Sequence, residues 1–264
     1  MGKYNIILAD PPWSYTDKAL AGNRGACCKY DVMSIEDIKN LPVNKIAEDD
    51  CILFLWVTFP MIQEGLDVIK AWGFKYKTIA FNWVKKNKKS DSWFWDMGNW
   101  TRSNSEVCLM GIKGKPKRFS AKVHQVIDTP IEGHSKKPDI TREKIVDLCG
   151  DLPRIELFAR QHTEKWDCWG NEINSDIEIP IIKTQVEKFI KELKSKYHEL
   201  NIGYSYNKQE NIYDIWHTNE ELEYSDIDFA NAAGLYISTY FHNNGFYNVY
   251  FTYDYDKACL IKKQ

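Results

Sequence analysis

Asp10-Pro11-Pro12-Trp13 follows directly on a short apolar run and places a carboxylate, two residues without an N–H and an indole side by side. An exocyclic amine that attacks an electrophilic methyl group needs acceptors for its two N–H groups. Those hydrogen bonds concentrate electron density on the attacking nitrogen. The Asp10 carboxylate and the Pro11 carbonyl can supply both. Neither Pro11 nor Pro12 competes as a donor, and two consecutive prolines fix φ, so the acceptors stand ready before the substrate arrives. Trp13 offers a π face on which a planar base can stack. Taken alone, the four residues also fit a stiff turn with a half-buried tryptophan.

A second group lies late in the chain. Glu156 and Arg160 bracket a strand end, so both can project into one crevice. A third comprises Lys85-Lys86-Asn87-Lys88-Lys89, which runs on into Trp93, Trp95 and Trp100. Lysines neutralise phosphates, and tryptophans stack on bases or wedge between them. A solvated charge run beside a core-facing aromatic cluster is the competing reading. The run Lys113–Arg118 adds a further basic stretch.

These groups need elements to hold them. Asn5–Ala9, Cys51–Val57, Lys77–Val84, Glu106–Ile112 and Arg154–Phe158 are near-continuously apolar and read as buried strands. Pro60–Trp72 reads as a helix with Pro in its first turn and Gly73 beyond its end. Ser34–Leu41 opens with Ser-x-x-Asp, and Asp139–Cys149 is closed by Gly150, so both read as helices. Strands alternating with helices imply an α/β fold with a mostly parallel sheet. In such sheets ligands bind beyond the carboxyl ends of the strands, where the Asp10 quartet sits. Three polar stretches, Ser14–Lys29, Lys85–Asn104 and Lys113–Pro138, read as long binding loops.

The quartet, Leu53–Val57, Asn82–Lys85, Gly111–Gly114, His134–Asp139, Ile155–Arg160 and Trp169–Glu172 together resemble, in order, the motif blocks of the MT-A family. These are S-adenosylmethionine-dependent adenine-N6 methyltransferases, among them eukaryotic mRNA methylases and bacterial and phage DNA enzymes. The resemblance spans residues 5–173. It implies a Rossmann-like methyltransferase fold with permuted motif order, which explains the lack of a G-x-G-x-x-G loop. It implies that Asp10, Pro11, Pro12 and Trp13 are the catalytic quartet, in which Asp10 and Pro11 hold the target amine and Trp13 flanks the base. Tyr30, Trp100, Glu106 and Lys137 then contact the acceptor adenosine, as a carboxylate and an ammonium can when a base has left its stack. Asp10, Lys137, Glu156, Phe158, Arg160, His162, Asn171 and Glu172 line the cofactor pocket. S-adenosylmethionine is the expected cofactor, no metal is expected, and the expected partner is nucleic acid, DNA ahead of RNA.

Composition is consistent with this. Of 264 residues 44% are hydrophobic and 27% charged, which excludes disordered and fibrous classes. No apolar run approaches the roughly 18 residues of a membrane span. Seven cysteines without a C-x-x-C suggest neither a disulfide framework nor a zinc site, and a reducing cytoplasm is the expected setting. Residues 75–144 carry 16 Lys/Arg against 7 Asp/Glu, whereas residues 201–256 carry nine Asp/Glu and hardly any base. A basic middle with an acidic end fits a polyanion-binding domain joined to something that avoids the polyanion. We therefore expect a methyltransferase domain over 1–180 and a small, acidic, aromatic-rich α+β domain over 181–264. In the latter, helices at Thr184–Leu200 and Ser225–His242 and strands at Ile202–Tyr206, Ile212–His217 and Phe246–Tyr253 offer surface for homo-oligomer formation. Two rival functions are an inactive nucleic-acid-binding partner of a methyltransferase and an amine or amide methyltransferase acting on protein. The intact quartet argues against the first and the basic tryptophan loop against the second.

Overall fold

Strand β1 (Tyr4–Ala9) lies at the heart of a seven-stranded sheet, between β2 (Ala47–Val57) and β6 (Arg154–Leu157), and runs parallel to both. The structure, a computed structural model, describes residues 4–13, 33–98, 100–133, 135–207, 210, 212–219, 222, 227–244 and 246–254. The remaining strands of this sheet are β3 (Lys75–Lys86), β4 (Glu106–Lys113), β5 (Val126–Pro130) and β7 (Asp167–Trp169), giving the order β5-β3-β4-β2-β1-β6-β7. Only β4 runs against the rest, pairing antiparallel with β2 and β3, while β3–β5 and β6–β7 are parallel.

Both faces of the central strands are buried, which is why they read as continuous apolar runs. Ile6, Leu8, Ile52, Phe54 and Trp56 pack with Ile145 and Cys149 of helix α3 (Ile140–Cys149). On β2, Leu53, Leu55 and Val57 alternate with that set and are equally buried. Helix α2 (Ile62–Ala71) lies on β2 through Gly65, where a Cβ would come within 2.6 Å of the Val57 side chain. Pro60 sits in a 3-10 turn, Phe59–Met61, that precedes α2, and Gly73 takes φ +81° just after it. Helix α1 is short, Ile35–Lys39; Ser34 Oγ accepts the Asp37 N–H at 3.0 Å, the start signal seen in the sequence.

Two strands were not legible. β5 lies inside the expected Lys113–Pro138 loop; it is an edge strand with Val126 54% exposed, so its apolar pattern is weak. β7 has three residues, too few for a periodicity. Phe158 leaves the expected strand, because its φ of +62° ends β6 at Leu157. The Ser14–Lys29 stretch and Tyr30 lie outside the described residues.

The chain divides into two compact units, 1–39 with 43–178, and 40–42 with 179–264. The smaller unit has a three-stranded sheet in the order β10-β9-β8, from β8 (Ile202–Asn207), β9 (Ile212–His217) and β10 (Val249–Tyr253). Helices α4 (Ile182–Lys196) and α5 (Ile227–Tyr240) cover it, and Val186, Phe189, Ile215, Phe229 and Phe241 form its core.

Candidate active site

The reversal of β4 determines where the chemistry gathers. β1, β2, β3 and β6 present their carboxyl ends at one edge of the sheet, and the antiparallel β4 presents its first residue there. Val57 pairs with Val107 and Trp83 with Glu106, so Glu106 arrives at the same edge as Asp10 and Lys85. Lys137, from the segment between β5 and α3, completes the group.

The four side chains form a chain of alternating charge. Lys137 Nζ lies 2.9 Å from Asp10 Oδ2 and 3.3 Å from Glu106 Oε2, and Lys85 Nζ donates to Glu106 Oε1 at 2.6 Å. Lys85 is fixed through its backbone, since Asn104 accepts its N–H at 2.8 Å and donates to its carbonyl at 2.9 Å. Its ammonium also lies 5.1 Å from the Trp83 ring centroid. Burial raises the Asp10 pKa, and Lys137 only partly opposes this. Burial also pushes Glu106 upward, but Lys137 and Lys85 together bring it below its ordinary value. Burial would lower the Lys137 pKa, yet Asp10 and Glu106 outweigh it and hold the ammonium charged. Glu106 is thus the fixed anion and Asp10 the carboxylate nearer to taking up a proton.

The turn after Asp10 departs from expectation in one respect. Trp13 is 7% exposed, and its indole N–H donates to the Trp56 carbonyl at 3.0 Å. It presents little face for a base to stack on, because the indole packs into the sheet. The Pro11 carbonyl accepts the Trp13 N–H at 2.8 Å, and among the described residues no second donor is bonded to it. Pro12 O accepts the Met33 N–H at 3.2 Å, tying the turn to the start of α1.

The late-chain residues gather at the ends of β6 and β7, the strands next to β1. Glu156 is held at both oxygens by Arg142 of α3, at 2.7 and 2.8 Å, and Arg142 also donates to Asp139 at 2.7 Å. Arg142 carried no sequence signal, since nothing in a helical pattern marks one arginine as facing a strand end. Phe158 stands edge-on to Trp169 at 5.3 Å. Arg160 and Glu172 form an exposed ion pair at 2.9 Å. His162 Nδ1 lies 3.1 Å from Cys168 Sγ and lines a cleft of about 680 Å³ with Asp139, Arg142 and Gln161. Asn171 is exposed on the turn after β7. The set combines carboxylates for an ammonium and a ribose diol with cationic and amide donors for a carboxylate. That chemistry fits S-adenosylmethionine; the cleft itself takes in only His162 of these residues.

The basic tryptophan loop leaves the sheet at Lys86 and returns at Glu106, beside the Asp10 edge. Trp93, Trp95 and Trp100 are all exposed, so the core-facing alternative is excluded. Lys85 faces inward, and Lys86 pairs with Asp91 at 2.8 Å and Asp128 at 3.2 Å. Lys88 and Lys89 are exposed. The second run, from Lys113, starts where β4 ends, at the opposite edge of the sheet from Asp10, and Lys113 donates to the Ala47 carbonyl at 3.1 Å. It does not extend the basic surface at the site.

Residues 4–172 match the MT-A70 family. The chain is 36% identical over 197 residues to the type II methyltransferase M.MunI of Mycoplasma sp, covering 67% of this chain and 82% of that protein. It is 30% identical over 193 residues to the N(6)-adenosine-methyltransferase MT-A70-like protein of Drosophila melanogaster, covering 71% of this chain and 30% of that one. With the human N(6)-adenosine-methyltransferase catalytic subunit METTL3 it shares 29% over 178 residues, 66% of this chain and 29% of that one. The chain therefore spans under a third of these eukaryotic relatives. Motif order, sheet topology and sequence likeness agree: the chain belongs to the MT-A70 family, the S-adenosylmethionine-dependent adenine-N6 methyltransferases.

Proposed function

We propose that this protein methylates the N6 amine of adenine in a polynucleotide, and that DNA rather than RNA is its substrate. The observation that carries the reading is the Lys85–Glu106–Lys137–Asp10 chain at the edge from which an exposed, tryptophan-rich loop emerges. The Asp10 carboxylate accepts one N–H of the target amine and the second lone pair of the Pro11 carbonyl accepts the other. S-adenosylmethionine supplies the electrophilic methyl group. An ordinary carboxylate is too weak a base to deprotonate the amine beforehand, so the amine attacks while neutral. The nitrogen sheds its proton after transfer, and a carboxylate whose pKa is raised by burial is the better acceptor for it. Glu106 and Lys137 meet the edge of the adenine, and Trp100 belongs to the loop beside it.

Glu156, Phe158, Arg160, His162, Asn171 and Glu172 hold the cofactor at the ends of β6 and β7. Trp93, Trp95 and Trp100 favour DNA, because a target in a duplex must be pried from its stack and apolar wedges do this. Lys88 and Lys89 bind phosphate. The smaller unit serves self-association through exposed Ile227, Leu235, Tyr247 and Tyr250. A cytoplasmic setting suits the free, buried thiols of Cys51, Cys108, Cys149 and Cys168. Among the described residues no helix is long and apolar enough to cross a membrane.

Transfer of tritiated methyl to matched duplex DNA, single-stranded DNA and RNA pools, followed by nucleoside analysis, tests the reading. N6-methyladenine in DNA above RNA is expected. Preference for RNA overturns the substrate class, and label in protein or in no adenine overturns the activity.

A further inference from the structure

Two strands over from β1, three side chains of metal-ligating type, His162 among them, converge beside β7. Cys168, in the middle of that strand, is 1% exposed. Its Sγ lies 3.1 Å from His162 Nδ1 and 3.1 Å from Asp176 Oδ2, and the three atoms lie within 4.8 Å of one another. The backbone holds two of the three in place. The Cys168 N–H donates to Asp176 Oδ2 at 2.9 Å and the Asp176 N–H to the Cys168 carbonyl at 2.8 Å.

We propose that His162, Cys168 and Asp176 form a binding site for a zinc-class divalent cation. Tetrahedral zinc with sulfur at about 2.3 Å and nitrogen or oxygen at about 2.0–2.1 Å sets its ligands about 3.3–3.6 Å apart. The observed triangle needs only side-chain adjustment to reach that spacing. Thiolate, imidazole and carboxylate together select zinc or cobalt over magnesium and calcium, which take oxygen ligands. The cation replaces the thiol proton, which leaves to solvent, and no electron is transferred. His162 and Asp176 are exposed, so an entry path exists and the fourth position is left for water. Asp176 is already oriented by a backbone N–H, the kind of outer support that ligating carboxylates require. A hydrogen-bonded chain that merely anchors the turn after β7 is the opposing view; it requires no thiolate.

The test uses the full chain, stripped of metal by a chelator and titrated with Co²⁺. One equivalent is expected to produce a thiolate-to-cobalt charge-transfer absorption in the near ultraviolet. Zn²⁺ should displace it, and excess Mg²⁺ should not. Cys168→Ser should abolish the band. His162→Gln and Asp176→Asn should each weaken binding about tenfold or more, since even outer-shell partners carry that much. These two positions are exposed, so their variants decide the matter even if Cys168→Ser fails to fold. No band in the unaltered protein, a band that survives Cys168→Ser, or affinity indifferent to His162→Gln overturns the site. The assay reads the metal directly and is independent of any role of His162 towards the cofactor.

Discussion

Replacing Lys85 by Met tests whether this lysine belongs to the site or, as its place in a basic run suggests, to the phosphate-binding surface. The side chains of Lys85 and Glu106 are only 16% and 14% exposed, and their contact is 2.6 Å. Stripping one partner from a buried ion pair costs about 3–5 kcal/mol, whereas a single hydrogen bond to a charged group is worth about 1.5–3 kcal/mol. Lys137 still faces Glu106 at 3.3 Å in the variant, so the loss stays within the hydrogen-bond range, about 2–3 kcal/mol at pH 7. The sign with pH is fixed by Glu106, whose folded-state pKa is depressed. Its stabilising contribution is present above the unfolded value of about 4.3 and is lost as pH falls through the folded value. The gap between wild type and Lys85→Met should therefore narrow on acidification. In turnover, Lys137 is drawn towards the unpaired Glu106 oxygen and away from Asp10. The Asp10 carboxyl, already raised, rises further, and the acid limb of kcat/KM moves to higher pH. Urea melts at several pH values and a pH–rate profile measure both effects. A variant as stable as wild type, with an unmoved acid limb but a shallower salt dependence of DNA binding, would refute the internal role of Lys85.

Asp10→Asn should lower methyl transfer by about 10²–10³-fold, the usual loss of one preorganised hydrogen-bonding group, with an unchanged circular dichroism spectrum; wild-type turnover would remove the acceptor argument. In the unaltered enzyme, activity should decline on acidification from a pH above the ordinary aspartate value of about 3.9, because Asp10 is raised and must be ionised to accept the amine. Lys88→Gln and Lys89→Gln should each flatten the salt dependence of duplex binding by about 0.9 in slope, as one released counterion requires, read by fluorescence anisotropy; Lys86→Gln should do so less, since Asp91 and Asp128 already pair with it. Asn171→Ala should weaken cofactor binding in calorimetry without loss of stability. Glu156→Ala should cost stability as well, because it removes two charged hydrogen bonds from a partly buried Arg142 and leaves it only Asp139.

The sequence by itself determined the class of fold and the identity of its central strands. β1 and β2 are buried on both faces, and double burial writes a continuous apolar run that needs no tertiary knowledge to read, whereas β6 is equally buried but carries Arg154 and Glu156 between its apolar residues. It also determined the Asp10 turn, since paired prolines fix their backbone locally. Three things were decided only by the assembled sheet. Glu106 joins Asp10 because β4 runs antiparallel, and strand direction follows from pairing partners far away in sequence. The run Lys85–Lys89 splits into an internal ion pair at Lys85, a surface pair at Lys86 and exposed Lys88 and Lys89, because only Lys85 ends beside a buried carboxylate. Trp13 turns inward while Trp100 stands fully exposed, although the two residues are chemically the same. A side chain's type sets which interactions it can make, but burial and charge partners come from segments that the chain brings together only on folding.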